Sequence, residues 1–252
     1  MTKIVLITGA TSGLGAAIAR KFAENGDHLI LTGRREDRLD SITRELIKTY
    51  HVEILPLVFD VRKLKEVEDA LEILPENWRN IDVLINNAGL AVGLNPIHEG
   101  VIDDWERMID TNVKGLLYMT RVFAPLMVAR KKGHIINIGS IAGKEVYPNG
   151  NVYCGSKFAV DAISKAMRID LLPHHIKVTQ VAPGALYTEF SLVRFKGDEA
   201  RAEAVYNGFR PLIASDVADV VYYVTTLPGH VNINDLVIMP TAQASSMHFN
   251  RQ

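Results

Sequence analysis

Cysteine is nearly absent: Cys154 is the single one in 252 residues. No internal disulfide can form, and no cysteine-rich metal site can be assembled. An excess of either charge is also missing. The 28 Lys and Arg residues against 29 Asp and Glu leave a formal net charge of −1, which argues against an electrostatic nucleic-acid binder. No apolar run approaches the ~18–20 residues that a membrane span requires. The opening stretch Lys3-Ile-Val-Leu-Ile-Thr8 is too short and too quickly interrupted to read as a signal peptide. Repeats, low-complexity tracts, linkers and His/Asp/Glu groupings with metal spacing are lacking too. With 48% apolar residues the chain is not disordered and can bury a substantial core. These absences leave a soluble, cytoplasmic globular enzyme or binding protein with no nucleic-acid, membrane or metal partner.

What is present is an alternation. Lys3–Thr8, His28–Gly33, Glu53–Phe59, Ile81–Ile85, Gly133–Ile138, His175–Val181 and Asp235–Met239 read as short apolar strands. Between them lie helical patterns over Ala16–Asn25, Glu36–Tyr50, Arg62–Leu74, Asp103–Arg130, Asn149–Leu172 and Ser215–Leu227. Near-continuous apolar strands alternating with helices predict a doubly wound, Rossmann-like parallel sheet covered on both faces. In such sheets ligands bind at the carboxyl ends of the strands.

The residues at those ends converge on one kind of ligand. Gly9-Ala10-Thr11-Ser12-Gly13-Leu14-Gly15 follows the first strand and opens a helix. Glycines there permit positive φ and let the backbone approach a pyrophosphate at the helix N-terminus. At the end of the second strand, an acidic residue would bond the ribose hydroxyls of NAD, but Arg34-Arg35 stands there. Two guanidiniums suit the 2′-phosphate of NADP; the plainer reading is a solvated basic start to the next helix, to which Arg38 and Arg44 are assigned. Asp60-Val61 ends the third strand, where the carboxylate could accept from an adenine amino group or cap the next helix. Asn87-Ala88-Gly89 follows the fourth strand and suits close backbone approach. Asn112 lies inside an apolar helical pattern, so it either satisfies a buried partner or perturbs the helix.

Tyr153 and Lys157 are four positions apart, on one face of a helix. A phenol titrates near ~10 in water, which makes it a poor base at neutral pH. Lowering that value by about 2–3, at ~3–4 kcal/mol of differential stabilisation, would make it an effective one. An adjacent ammonium acts in that direction. Ser140, at the end of the fifth strand, offers a hydroxyl to hold a reacting oxygen. Cys154, beside Tyr153, reads as a buried structural thiol.

Thr8-Gly-x-x-x-Gly-x-Gly15, Asn86-Asn-Ala-Gly89, Asn112, Ser140, Tyr153-x-x-x-Lys157 and Pro183-Gly184 stand in the order and spacing of the short-chain dehydrogenase/reductase family, which the chain resembles over its whole length. The resemblance implies one domain over residues 1–252, a seven-stranded parallel sheet, and a homotetramer. It implies Tyr153 as acid/base, Lys157 lowering its pKa and holding the nicotinamide ribose, and Ser140 positioning the substrate oxygen. It also implies Asn112 holding a water that relays protons from Lys157, and Leu186 and Thr188 contacting the carboxamide and a nearby phosphate. More narrowly, Thr32-Gly-Arg-Arg35, Leu90-Ala-Val-Gly93, Gly150-Asn-Val-Tyr153, Thr188-Glu-Phe190 with Val193-Arg-Phe-Lys-Gly-Asp198, and Leu227-Pro-x-His-Val-Asn-Ile-Asn234 resemble NADP-dependent 3-hydroxy acid dehydrogenases acting on L-serine, L-allo-threonine or 3-hydroxy acids. An acid substrate needs a counter-charge, for which Arg194 is the candidate; the alternative is an ordinary solvated loop charge. Two other readings compete: a reductase of 3-oxoacyl thioesters or general ketones, and a cofactor-binding regulator without turnover.

Overall fold

A computed structural model describes residues 2–252. Seven parallel strands form one sheet: β1 (Ile4–Thr8), β2 (His28–Gly33), β3 (Ile54–Val58), β4 (Val83–Asn86), β5 (Gly133–Ile138), β6 (Ile176–Pro183) and β9 (Asp235–Ile238), in the spatial order β3-β2-β1-β4-β5-β6-β9. The order reverses beside β1, which pairs with β2 on one side and β4 on the other. Such a reversal opens a crevice beyond the strand ends. Pro56 lies within β3, an edge strand, where a missing N–H costs the ladder least. A separate two-stranded pairing joins β7 (Leu186–Tyr187) to β8 (Leu212–Ile213).

Alternate side chains of these strands feed two cores. On one face α1 (Gly13–Glu24), α2 (Glu36–Tyr50) and α9 (Ala214–Thr226) bury Phe22, Leu39, Val217 and Val221 against Val5, Ile7, Leu29 and Leu31. Phe22 meets Tyr222 edge-on at 5.2 Å between ring centres. On the other face α3 (Leu64–Glu72), α5 (Leu116–Arg130) and α6 (Asn151–Leu171) bury Val67, Phe123, Met127 and Val160 against Leu6, Leu84, Ile135 and Val178. Burial on both faces is why the strands read as continuous apolar runs. Shorter helices complete the chain: α4 (Ile102–Ile109), α7 (Glu189–Arg194) and α8 (Glu199–Ala204). Among the described residues no helix is long and apolar enough to cross a membrane.

The seven strands agree with the sequence reading, with ends differing by a residue or two. The helix expected over Asp103–Arg130 is instead broken. Its middle, Asp110–Gly115, is a π-helical turn between α4 and α5. The physical reason is Asn112, whose buried amide leaves the helix to bond Leu90, so an extra residue is taken up in the wider turn. The helix expected from Arg62 begins at Leu64, because Asp60 accepts from the Arg62 N–H at 3.0 Å and holds that residue in the preceding turn. The C-terminal tail is docked: Gln243 pairs with Phe249 in an antiparallel bridge, and the rings of Phe209 and Phe249 lie 5.0 Å apart.

Candidate active site at the strand ends

A cavity of about 750 Å³ opens across the carboxyl ends of the strands, running from Arg34 and Arg35 past Asn87 and Ser140 to Tyr153 and Arg194. Its floor under β1 is built by exclusion of side chains. Gly9 has φ +67°, and a Cβ on Gly15 would run into the Gly9 carbonyl and stand 2.6 Å from the Asn87 amide. Only hydrogen at these positions leaves the backbone bare for a phosphate. The Thr8 hydroxyl fastens this loop to the next strand end, donating to the Ile85 carbonyl and accepting from the backbone N–H groups of Asn87 (3.0 Å) and Ala88 (2.9 Å). The Asn87 amide donates in return to the Thr8 carbonyl at 2.8 Å. Ala10 and Leu14 are buried beneath the loop, and Gly13, at φ +51°, lies against Thr188, which a Cβ there would meet at 3.3 Å.

At the adenosine end, Arg35 folds over the loop, donating to the hydroxyls of Thr11 (3.0 Å) and Ser12 (2.7 Å). Arg34 stands 3.7 Å from Asp60. Both Asp60 oxygens accept from the Arg62 guanidinium, so this carboxylate caps no helix. Burial pushes Asp60 up, but its bonds from Arg62 prevail and hold it below the usual carboxylate range. Val61 packs against Gly115 in the π turn. Arg38 is more than a solvated charge: it grips Glu189 at 3.0 Å, and Arg35 approaches the same carboxylate at 3.6 Å. The basic cluster thereby touches both the glycine loop and the start of α7.

At the other end, β5 stops at Ile138 and the chain turns sharply at Ser140, whose hydroxyl accepts from the Ala142 N–H at 3.1 Å. The opposing helix α6 aims Tyr153 and Lys157 into the same space, both almost wholly buried. The Ser140 and Tyr153 side chains line the same cavity, and the Ser140 hydroxyl acts to lower the phenol pKa. The Lys157 ammonium donates to the Ile138 carbonyl at 2.9 Å, and burial pulls it down to about 8. Burial holds the Tyr153 phenol above its ordinary value; the Arg194 cation and the Ser140 hydroxyl oppose this, in that order. Arg194 thus acts on the Tyr153 phenol, an effect that the sequence reading did not assign to it. Cys154 is buried, and burial pushes its thiol up, in keeping with a structural role.

Asn112 has its side chain committed. Its oxygen accepts from the Leu90 N–H and its nitrogen donates to the Leu90 carbonyl, both at 2.8 Å, and to the Ser156 hydroxyl at 2.9 Å. A Cβ on Gly89 would lie 3.2 Å from the Asn112 oxygen and 3.6 Å from the Lys157 nitrogen, so the two groups flank this glycine.

The segment after Pro183-Gly184 covers the cavity. Leu186 lines it while its carbonyl accepts from the Tyr206 hydroxyl at 2.9 Å, and the Thr188 hydroxyl caps α7 through Phe190 N–H. Arg194, at the end of α7, is not a solvated loop charge. Its guanidinium lies 4.9 Å from the Tyr153 ring centre, 5.1 Å from Phe190 and 5.7 Å from Tyr147, whose hydroxyl it meets at 2.7 Å. Its Nε is buried without a partner. Lys196 then pairs with buried Asp104 at 2.7 Å. Sequence reasoning missed Tyr147, Phe190 and Glu189 as parts of this site; the last two lie in Thr188-Glu-Phe190, a stretch that stood out without an assigned role. No group of three or more His, Cys, Asp or Glu among the described residues is arranged to hold a metal ion.

The family described as short chain dehydrogenase matches residues 3–198. The chain is 49% identical to an NADP-dependent 3-hydroxy acid dehydrogenase YdfG of Salmonella typhi, covering 96% of each chain. It is 47% identical to sulfoacetaldehyde reductase 2 of Chromohalobacter salexigens, over 98% of this chain and 97% of that one. Its structure is similar, with a TM-score of 0.92 and 48% identity, to the closed form of a serine dehydrogenase complexed with NADP+, over 99% of this chain and 100% of the other. With the crevice, glycine loop and Ser140–Tyr153–Lys157 grouping in place, these likenesses establish that the chain belongs to the short-chain dehydrogenase/reductase family.

Proposed function

We propose that the protein is an NADP-dependent oxidoreductase that reversibly oxidises the C3 hydroxyl of short 3-hydroxy acids, such as L-serine, L-allo-threonine or 3-hydroxypropionate. The observation that carries this reading is the placement of a cation, Arg194, beside the hydroxyl-bearing pair Tyr153 and Ser140 in one cavity. The names of relatives 47–49% identical to the chain support it.

The cradle fits the cofactor. Its bare glycine backbone suits a pyrophosphate, and Arg34 and Arg35 offer charge-assisted bonds to a 2′-phosphate. When bound, NADP supplies the nicotinamide carbon that accepts or donates hydride. Asp60 and Val61 would hold the adenine, Asn87, Ala88 and Gly89 would offer close backbone approach to the cofactor, and Pro183, Gly184, Leu186 and Thr188 would lie on the carboxamide side, all of them lining the cavity. Lys157 uses one of its three N–H donors on Ile138, leaving two for a ribose hydroxyl and for a relay water beside Asn112.

In the oxidative direction the Tyr153 phenolate takes the proton from the substrate hydroxyl while Ser140 holds its oxygen. In reduction the phenol returns that proton to the carbonyl oxygen. Arg194 pairs with the substrate acid group through its unpartnered Nε and fixes the reacting carbon over the site. A sulfonate would satisfy the same guanidinium, and the likeness to a sulfoacetaldehyde reductase favours 2-hydroxyethanesulfonate as a second substrate.

Self-association accompanies this reading. Phe158, Ile169 and Leu172 project from α6 and its end, Ile169 and Leu172 each 73% exposed, and Leu117 projects from α5. Such apolar surface on neighbouring long helices suits packing on a second copy, toward a homotetramer. A single monomeric species in sedimentation would contradict the assembly.

The test of the activity is reduced-cofactor absorbance with NADP or NAD and each of L-serine, L-allo-threonine, 3-hydroxypropionate and 2-hydroxyethanesulfonate. Turnover with NADP well above that with NAD, on one or more of these acids, is expected. Silence on all of them beside turnover of uncharged alcohols would overturn the substrate class.

A further inference from the structure

The turn that carries Ser140 is pinned at both ends. Gly139 donates to the Val181 carbonyl at 2.8 Å, and its α-carbon rests on the buried Gln180 amide, which a Cβ at 139 would meet at 2.7 Å. Gly143 lies against the backbone of α6, where a Cβ would stand 2.5 Å from the Lys157 carbonyl. The next residue, Lys144, sends its ammonium between two carboxylates, Asp161 on α6 and Asp235 at the start of β9, and donates to both. Asp161 stands one helical turn beyond Lys157 and two beyond Tyr153.

We propose that Lys144 is a positioning residue for hydride transfer: its bridge to Asp161 and Asp235 holds the Ser140 hydroxyl in register with the Tyr153 hydroxyl. This rests on the acid/base reading of Tyr153 given above. Ser140 sits on a turn and Tyr153 on a helix, and between these two elements the contact of Gly143 with the α6 backbone is one of packing, without a hydrogen bond to fix their separation. A catalytic pair must be held to within about 0.5 Å to be productive. One cation bonded to the helix and to the neighbouring strand supplies that restraint from outside the cavity.

The surrounding charges favour a persistent bridge. Lys165 shares Asp161 at 2.6 Å, and Arg168 lies within electrostatic reach of both carboxylates. Glu145 is engaged elsewhere, accepting from the Ser246 N–H at 2.8 Å. Burial raises Asp161, but the bonds from Lys144 and Lys165 outweigh it and hold the carboxyl low. The groups facing Tyr153 are Arg194 from α7, Ser140 from the turn, Lys157 and Cys154 from α6, and Tyr147 from the preceding loop. Of these, Ser140 is the one that the Lys144 bridge ties to α6 from another element.

The test compares Lys144→Met, Lys144→Arg, Ser140→Ala and the Lys144→Met/Ser140→Ala double variant in the full-length protein. Lys144→Met is expected to lower kcat about 10-fold. Its affinity for NADPH, followed by fluorescence titration, should stay within about twofold, since Lys144 is outside the cavity. The alkaline-rising limb of kcat for alcohol oxidation should move to higher pH, because a displaced Ser140 hydroxyl no longer opposes the burial of the phenol. Lys144→Arg should restore both, and Lys144→Met should add little to Ser140→Ala. If Lys144→Met does not fold, Asp235→Asn at the sheet edge probes the same bridge. A folded Lys144→Met with native kcat and pH limb, beside an impaired Ser140→Ala, overturns the proposal alone. Full additivity in the double variant overturns it as well. Native kcat in Ser140→Ala removes the acid/base reading, and the proposal with it.

Discussion

The Arg194 guanidinium stands 4.9 Å from the centre of the Tyr153 ring, close enough to make a covering segment part of the electrostatics of the site. Burial alone would keep the phenol protonated; this cation is the strongest group opposing it. Removing the charge therefore raises the phenol pKa, and the rising limb of alcohol oxidation moves to higher pH. Arg194→Met should also weaken acid substrates by about 10–100-fold in kcat/KM, corresponding to the ~1.5–3 kcal/mol of a hydrogen bond to a charged group. An uncharged alcohol should show the pH shift without most of the loss. Paired pH profiles for L-serine and a simple alcohol separate the two effects, and equal losses on both would remove the clamp while leaving the cation's action on Tyr153.

Lys157 is held at a cost to the fold. Its folded pKa of about 8 lies below the ordinary 10.5. Between those values the unfolded chain binds a proton that the folded chain does not, so this residue's contribution makes stability rise with pH across that window. Below pH 8 the penalty is present in full, on the order of 3 kcal/mol. Lys157→Met discards it, along with one hydrogen bond to Ile138 worth about 1 kcal/mol. The variant should be inactive yet more stable than the parent at pH 7, with the gain shrinking toward pH 10. Denaturant unfolding at both pH values measures this, and a variant less stable at pH 7 would show that the buried ammonium is better compensated than its surroundings indicate.

The sheet was legible because parallel strands covered on both faces leave unmistakable apolar runs, and because glycine or asparagine marks several of the strand ends, as at Gly9, Asn87 and Gly184. Gly9–Gly15, Ser140 and Tyr153 with Lys157 could be placed for the same reason: their spacing is local, within one loop or one helix. What the sequence hid are meetings between distant segments. Glu189 finds Arg38 across 151 positions, and Arg194 finds Tyr147 across 47. Neither pair shares an element, so no periodicity links them. The π turn at Asp110–Gly115 was hidden differently: an apolar pattern with one misplaced asparagine signals a disturbance, not its geometry.

That turn carries the last prediction. Asn112 bonds both backbone groups of Leu90 and the Ser156 hydroxyl from a position 2% exposed. Asn112→Ala leaves those buried groups unpaired, which should cost about 2–4 kcal/mol at ~1–3 kcal/mol for each unsatisfied group. It also removes what stabilises the wider turn. Recovering an ordinary α-helical register would rotate α4 relative to α5 by about 100°, the angle of one residue. Asp104 on α4 would then swing away from Lys196, releasing the end of the segment that covers the cavity. Hydrogen exchange over residues 189–197 should accelerate in Asn112→Ala, whereas Ser156→Ala, which removes one partner and spares the Leu90 bonds, should leave it near the parent rate. If exchange there is unchanged while stability falls, Asn112 serves the helix junction alone and the cover is held independently by Arg194 and Glu189.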